Sequence, residues 1–550
     1  MMKNNKCDKN ALKWICDVAK PKTGHIVLVM LINAVIAATG TVTALVTKHL
    51  LDSATDGNIS GLVRFSVMCA LIAFFQISLS VFLRYYTEKL RAKLDISYKE
   101  RLFATQLSKS YPQIRAFHSG ELVNRLTGDV SVITDAVTTL PPTVISVVVR
   151  LVCAFTVLVV MQWQFAVVFA VGGIIIYVAT RFFRDMVKQL HKDMQKQEGR
   201  VRSFWQEVLE NLLVVKSFGG EEMSTEKSKQ LQKEHYRVRM KKAALGSLSS
   251  GASHFVMRAG YIFALVWCAY KMLNEQMSFG SLTAITSLVA QVQMPFSSLS
   301  GIVPRYYAAI SSAERIMEIE ALTQEDSLAD NEKELPSYDK FEKISIKNLD
   351  FSYDRTAVIK DFSFEIQKGD FVSVTGESGI GKSTLFKLLL AIYEKNAGEI
   401  DFVFDTESFS VGKNTRKMFA YVPQGNLLFS GTLKENLLFL VGDKTSEQID
   451  FALEVACAKE FVEKLPDGLD TVISEGGQGL SEGQAQRLAV ARAILSARDI
   501  LLFDEATSAL DEKTERQMLE NIKNLTDKTC IMVTHKPAAL EICNKVLHLG

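Results

Sequence analysis

A chain of 550 residues is too long for one hydrophobic core, so two or more domains are expected. It is 48% hydrophobic with positive mean hydropathy yet 23% charged, a mixture that fits a membrane-embedded half joined to a water-soluble half. A net charge of +2 gives no bulk electrostatic case for nucleic acid, and eight scattered cysteines without a C-x-x-C pair give neither a disulfide framework nor a zinc site.

At the N-terminus, Leu12, Ile15, Val18 and Ala19 make a short amphipathic stripe among Lys9, Lys13 and Lys20, closed by Pro21. The stripe reads either as a helix lying in the membrane interface or as a solvated N-terminus. Six apolar segments follow, at 25–47, 62–83, 143–161, 165–182, 251–273 and 280–303. Each approaches the ~20 residues that a ~30 Å hydrocarbon core requires. The sixth carries Gln291, Gln293 and Pro295, which predicts that it lines a cavity rather than faces lipid. Arg150 falls within the third segment, and His254 and Arg258 within the fifth. Helical steps align Arg150 with Thr143, Ser146 and Cys153, and align His254 and Arg258 with Ser247, Gly251 and Tyr261. These three residues are the candidate contacts for an anionic cargo; the competing reading is that Arg150 snorkels to the lipid headgroups.

The connections after the first, third and fifth segments are short. Those after the second and fourth are long, helix-like and basic, at 84–109 and 181–242. The positive-inside rule places both long connections, and with them both chain ends, in the cytosol, with a cell membrane as the location. A polar, acidic stretch at 322–338, with Pro336 near its end, marks the boundary between halves. The expected division is a membrane domain at 1–321, a linker at 322–340 and a soluble domain at 341–550.

In the soluble half, Gly376, Glu377, Ser378, Gly379, Ile380, Gly381, Lys382, Ser383 and Thr384 fit G-x-x-x-x-G-K-[ST]. A short apolar strand at 371–375 precedes the motif and a helix at 385–392 follows it. That context makes a phosphate cradle: glycines let backbone N–H groups turn inward, and a helix N-terminus adds its positive dipole end. Lys382 can reach the β and γ oxygens of ATP, and the Ser383 hydroxyl can ligate Mg²⁺. The apolar run 500–503 ends in Asp504 and Glu505. Asp504 is placed to hold the Mg²⁺ shell and Glu505 to polarise the attacking water.

Further stretches come in order around these. They are Tyr353 after an alternating strand, Tyr421-Val-Pro-Gln424, Leu480-Ser481-Glu482-Gly483-Gln484, Ser508-Ala-Leu-Asp511 and Ile531-Met-Val-Thr-His535. In the first half, 117–129 and 207–221 look like cytosolic loops with short coupling helices, and 312–316 like an exit from a membrane domain. The whole set resembles the ATP-binding cassette exporters of the half-transporter type. That resemblance implies a multidomain membrane protein: an all-α six-helix transmembrane domain with long cytosolic helical extensions, then an α/β P-loop domain with a RecA-like core. It implies that Tyr353 stacks on adenine and that Gln424 touches Mg²⁺ alongside Ser383 and Asp504. Ser481, Gly483 and Gln484 would meet the γ-phosphate held by another subunit, while His535, with Glu505 and Gln424, would act in hydrolysis. Glu482 stands where the family has glycine, and a carboxylate near a triphosphate is opposed by Coulomb repulsion.

The function implied is ATP-driven export of a small molecule, lipid or peptide by alternating access. The partner is a second copy or a homologous half-transporter, in a bacterial cell membrane whose lipids surround the chain. The alternatives are an importer on the same fold and the less active subunit of a heterodimer. Six apolar spans exclude a soluble cassette ATPase.

Overall fold

The computed structural model describes residues 2–325, 334–353, 356–377, 379–405, 407–425, 428–474, 479–525 and 528–549. The chain divides into two compact units. One combines Met1–Phe103 with Gly120–Glu318, and the other combines Ala104–Ser119 with Ile319–Gly550.

The first half is helical throughout. Its elements are α1 (Met2–Ala19), α2 (Thr23–Thr55), α3 (Ile59–Leu107), α4 (Tyr111–Arg115), α5 (Ser119–Asn124), α6 (Val130–Met161), α7 (Trp163–Glu210), α8 (Leu212–Ser217), α9 (Glu221–Leu273) and α10 (Phe279–Glu320). Each of the six apolar segments lies within one of the long helices α2, α3, α6, α7, α9 and α10. Among the described residues, the stretches Lys9–Thr55, Ile59–Leu107, Ser119–Met161 and Glu221–Leu273 are long and apolar enough to cross a membrane.

Small and branched side chains from five helices pack together: Ala44, Ala154, Leu158, Phe165, Cys268, Ile285 and Leu288 are all buried. Between helices in lipid such close packing, rather than release of water, supplies the attraction. On α3 the large apolar residues Leu71, Phe74, Ile77 and Val81 point outward, the pattern of a lipid-facing surface.

Two of the stretches singled out in the sequence make specific contacts. Gln291 and Gln293, both half-buried, are tied to neighbouring helices. Gln291 donates to Gly40 O at 3.1 Å and accepts from Thr41 at 3.3 Å, and Gln293 donates to Met257 O at 2.8 Å. An amide in a low-dielectric interface is costly without such partners. On α1 the inward face is Ala11, Trp14 and Val18, with Trp14 edge-on to Tyr98 of α3, while Leu12 is exposed.

The second unit is built on two sheets. Strands β1 (Phe341–Tyr353), β2 (Thr356–Gln367), β3 (Phe371–Thr375), β4 (Ala397–Phe404), β5 (Ser408–Ser410), β6 (Phe419–Val422), β7 (Gly431–Thr432), β8 (Val472–Ile473), β9 (Ile500–Asp504), β10 (Thr529–Val533) and β11 (Lys545–His548) alternate with α11 (Lys382–Leu389), α12 (Leu433–Leu438), α13 (Ser446–Val455), α14 (Lys459–Glu463), α15 (Glu482–Leu495), α16 (Glu512–Lys523) and α17 (Pro537–Ile542). One sheet is antiparallel, in the order β2-β1-β4-β5. The other is parallel, in the order β11-β3-β10-β9-β6. Every residue of β9 and β10 is buried, which is why both read as apolar runs apart from Asp504 at the end of β9 and Thr529 at the start of β10. In register, Val533 lies opposite both Val374 and Asp504, so β3, β10 and β9 end level at one edge.

One loop of the first half belongs to this unit. Ser110 N donates to Thr323 O at 3.0 Å, Glu325 N donates to Ser108 O at 2.9 Å, and the Tyr111 ring meets Tyr393 edge-on.

Candidate functional site

Ligands of open parallel sheets sit beyond the carboxyl ends of the strands, and the motif residues gather there. The loop after β3 is shaped by its glycines. Gly376 has φ +147°, and a Cβ on it would lie 2.5 Å from Leu549 O. Gly381, at φ +116°, caps α11, so the helix expected at 385–392 instead begins at Lys382 and ends at Leu389. Ser383 and Thr384 thereby fall in its first turn, where N–H groups point into the loop. Lys382 is almost wholly buried, and its Nζ donates to Gly376 O at 2.8 Å and Glu377 O at 2.9 Å. Gly379, at φ +85°, has open space where a Cβ would stand, Ile380 packs on the core, and Ser378 lies outside the described residues.

Four further strand ends, those of β9, β6, β10 and β1, supply polar groups. Asp504 accepts from Ser383 Oγ at 3.0 Å and from Tyr421 OH at 3.2 Å. Burial pushes its carboxyl above the usual aspartate range, and the two hydroxyls pull it back in part. Glu505 sits at φ +52°, a left-handed backbone that is strained for a side chain of this size, and Gln424 Nε2 donates to its Oε2 at 2.7 Å. His535 stands exposed two residues beyond β10. Tyr353 ends β1 with its OH 3.1 Å from Thr384 Oγ1 and its ring edge-on to Phe351 and Tyr393. Tyr353, the 376–384 loop, Gln424, Asp504 and Glu505 are thus brought to one edge of the domain.

Ser481, Gly483 and Gln484 form a separate group at the start of α15. Ser481 caps the helix by accepting from Gln484 N, and the Gln484 side chain accepts from Ser481 N. A Cβ on Gly483 would lie 2.9 Å from Ala509 O, so glycine is what lets the 507–511 turn approach. Glu482 is exposed in the first helical turn, where a carboxylate is favoured by the helix dipole. This explains how the fold accommodates an acid at that position.

In the membrane half, Arg150 on α6 donates to Met294 of α10, Arg258 lies over the Tyr261 ring, and His254 is exposed. Sequence reasoning passed over Tyr421 as a site residue. Its only signal was a position three residues before Gln424 on a four-residue strand.

The donors Ser383, Asp504 and Gln424 suit a hard cation: they offer oxygens, and the buried carboxylate has two neutral hydroxyls as its hydrogen-bond partners.

Two family profiles match the chain in succession: the ABC transporter transmembrane region over residues 26–296 and the ABC transporter domain over residues 359–508. This chain belongs to the ATP-binding cassette transporters. With one membrane region and one nucleotide-binding domain it is a half-transporter, a multi-pass membrane protein that binds and hydrolyses ATP to drive transport.

Among relatives, the half-transporter is 29% identical over 532 residues to an ATP-dependent lipid A-core flippase of Pasteurella multocida, covering 94% of this chain and 89% of the relative. An uncharacterized ABC transporter ATP-binding protein of Bacillus subtilis, YwjA, is 27% identical over 512 residues, 92% of this chain and 88% of that protein. A solved bacterial Atm1-family ABC exporter with ATP bound superposes with a TM-score of 0.79 at 22% identity, covering 97% of this chain and 94% of that one. The half-transporter therefore has the exporter fold.

Proposed function

We propose that this half-transporter exports an amphiphilic lipid or lipid-like molecule, acting as a dimer with a second copy or a homologous half-transporter. The observation that carries the reading is the hydrogen-bonded group Tyr421–Asp504–Ser383 beside Gln424–Glu505 at the strand ends, which supports an intact hydrolytic set in one chain. The lipid class follows the name of the flippase that aligns with nearly the whole chain.

On this reading Lys382 leaves the carbonyls of Gly376 and Glu377 to meet the β and γ oxygens of ATP, and the loop N–H groups hold the phosphates. Tyr353 offers its ring to adenine. Glu505, oriented by Gln424, takes the proton of the attacking water, and His535 faces the γ-phosphate. Ser383, Asp504 and Gln424 would hold Mg²⁺, which would supply positive charge against the phosphate oxygens. Ser481, Gly483, Gln484 and the start of α15 complete the site built on the other subunit's phosphate loop, so one chain alone cannot close a site. The membrane half lies in an inner membrane with the nucleotide-binding domain on its cytosolic side, and Arg150, His254 and Arg258 meet an anionic headgroup.

The test is reconstitution into vesicles carrying anionic or cationic fluorescent lipids, with ATP supplied outside. ATP should move the anionic lipid away from the leaflet that faces the nucleotide-binding domain, and Arg258→Ala should abolish the preference over the cationic lipid. Movement toward that leaflet would make the protein an importer. No movement of either lipid would overturn the lipid reading.

A further inference from the structure

The residue after His535 has a role that the hydrolytic set above does not include. Lys536 Nζ donates to Thr507 O at 2.8 Å and to Leu510 O at 2.7 Å, and lies 3.5 Å from Glu515 Oε2. Glu515 is buried, and its other oxygen accepts from Thr507 Oγ1 at 2.7 Å. An ammonium has three N–H donors; here two meet backbone carbonyls and the third faces a carboxylate. The turn Thr507–Leu510 is gripped from the opposite side by α15. Gln486 Nε2 donates to Ser508 Oγ at 2.9 Å, Ala509 N donates to Gln486 Oε1 at 3.0 Å, and Gly483 lies against Ala509 O. One short turn is therefore bonded both to α15, the helix capped by Ser481, and to the residue that follows His535.

We propose that Lys536 is a positioning residue for ATP hydrolysis. It locks the His535 turn to the Thr507–Leu510 turn, so that His535 and the start of α15 shift as one body when the γ-phosphate is present or lost. This rests on the role proposed above for His535. A lysine suits the task because its single charged point satisfies two carbonyls that diverge along a turn, while the buried carboxylate fixes where that point sits. Without the clamp the two turns are joined only indirectly among the described residues, through the sheet and through α16 against α17, where Arg516 meets Glu541 at 2.8 Å, and His535 loses its fixed distance to the reacting phosphate. Misplacement of about 1 Å at a reacting centre lowers a rate by about 10²-fold.

The experiment uses the full chain in detergent or nanodiscs and measures kcat, KM for ATP and Tm. Lys536→Met should lower kcat at least about ten-fold with KM little changed, and Lys536→Arg, which keeps donors for both carbonyls, should recover most of the rate. Lys536→Met strands Glu515 in the interior, so Lys536→Met/Glu515→Leu, which removes both charges, is the companion variant. It should regain Tm while kcat stays low. His535→Ala should be slow, and adding Lys536→Met to it should slow it no further, because the two act as a unit. A return of kcat together with Tm in the Lys536→Met/Glu515→Leu chain, or multiplied effects in the His535→Ala/Lys536→Met chain, would overturn the proposal. A wild-type rate for His535→Ala would overturn the reading of His535 and the proposal with it. A slow His535→Ala beside a wild-type rate for Lys536→Met would overturn the proposal alone.

Discussion

Asp504 is the residue whose environment asks most for a partner. Its two bonds come from neutral hydroxyls, and burial holds its carboxyl above the ordinary range. Folding thus favours the protonated form. That contribution to stability is fully present below the unfolded aspartate value of about 3.9 and is lost as pH rises through the raised folded value. Asp504→Asn should therefore raise the Tm of the nucleotide-free protein near neutral pH, with the gain shrinking toward about pH 4. Thermal melts of both chains across that range check it; a gain that does not depend on pH would mean that titration is not the cause. Glu482 poses the opposite balance. Its carboxylate suits the first turn of α15 but faces a polyanion if a triphosphate binds there. Glu482→Gly should cost about 0.5–1 kcal/mol of stability yet raise ATP affinity or turnover, more so at low salt. Loss of activity in that variant would show that the glutamate makes a needed contact.

At the scale of elements, the most unusual piece is the π-helical turn Arg125–Asp129 between α5 and α6, which buries two opposite charges. Arg125 reaches Glu121 at 2.5 Å, Glu318 at 2.9 Å and Arg315 O at 2.6 Å; Asp129 accepts from Ser312 at 2.9 Å and from Arg315 Nε at 2.8 Å. Such turns are rare and persist where a specific contact holds them. Asp129→Asn keeps the shape and removes the charge, so it should cost about 1.5–3 kcal/mol, nearer the lower figure because Arg315 can rehydrate. Denaturation of the purified chain reads this directly, and an unchanged midpoint would show that the turn stands without the pair. The turn itself could not be read from the sequence, because its cause is a partner almost two hundred positions away. The strands β3, β9 and β10 were legible for the opposite reason: burial on both faces leaves a short, mostly apolar run with few polar residues. The start of α11 was missed by three residues because Gly381 reads as part of a loop until its left-handed conformation is seen to cap a helix.

For the whole molecule, hydropathy alone revealed the six long helices, and motif order alone revealed the transporter family. What the sequence hid is how polar side chains are shared between distant segments. Nothing around Gln291 in the sequence points to its bonds with Gly40 and Thr41, and Tyr421 reads as a strand residue until its hydroxyl meets Asp504. The assignment of residues 104–119 to the same unit as the nucleotide-binding domain is of this kind too, since it depends on the backbone bonds of Ser108 and Ser110 to Glu325 and Thr323. The central claim is that hydrolysis at Glu505 drives lipid across the membrane. Its most direct test follows phosphate release and lipid translocation in the same vesicles, for the wild-type chain and for Glu505→Gln. Hydrolysis should fall at least about 10²-fold in the variant while ATP binding persists, and translocation should fall with it. Lipid that still moves at the wild-type rate once hydrolysis has stopped would contradict the account.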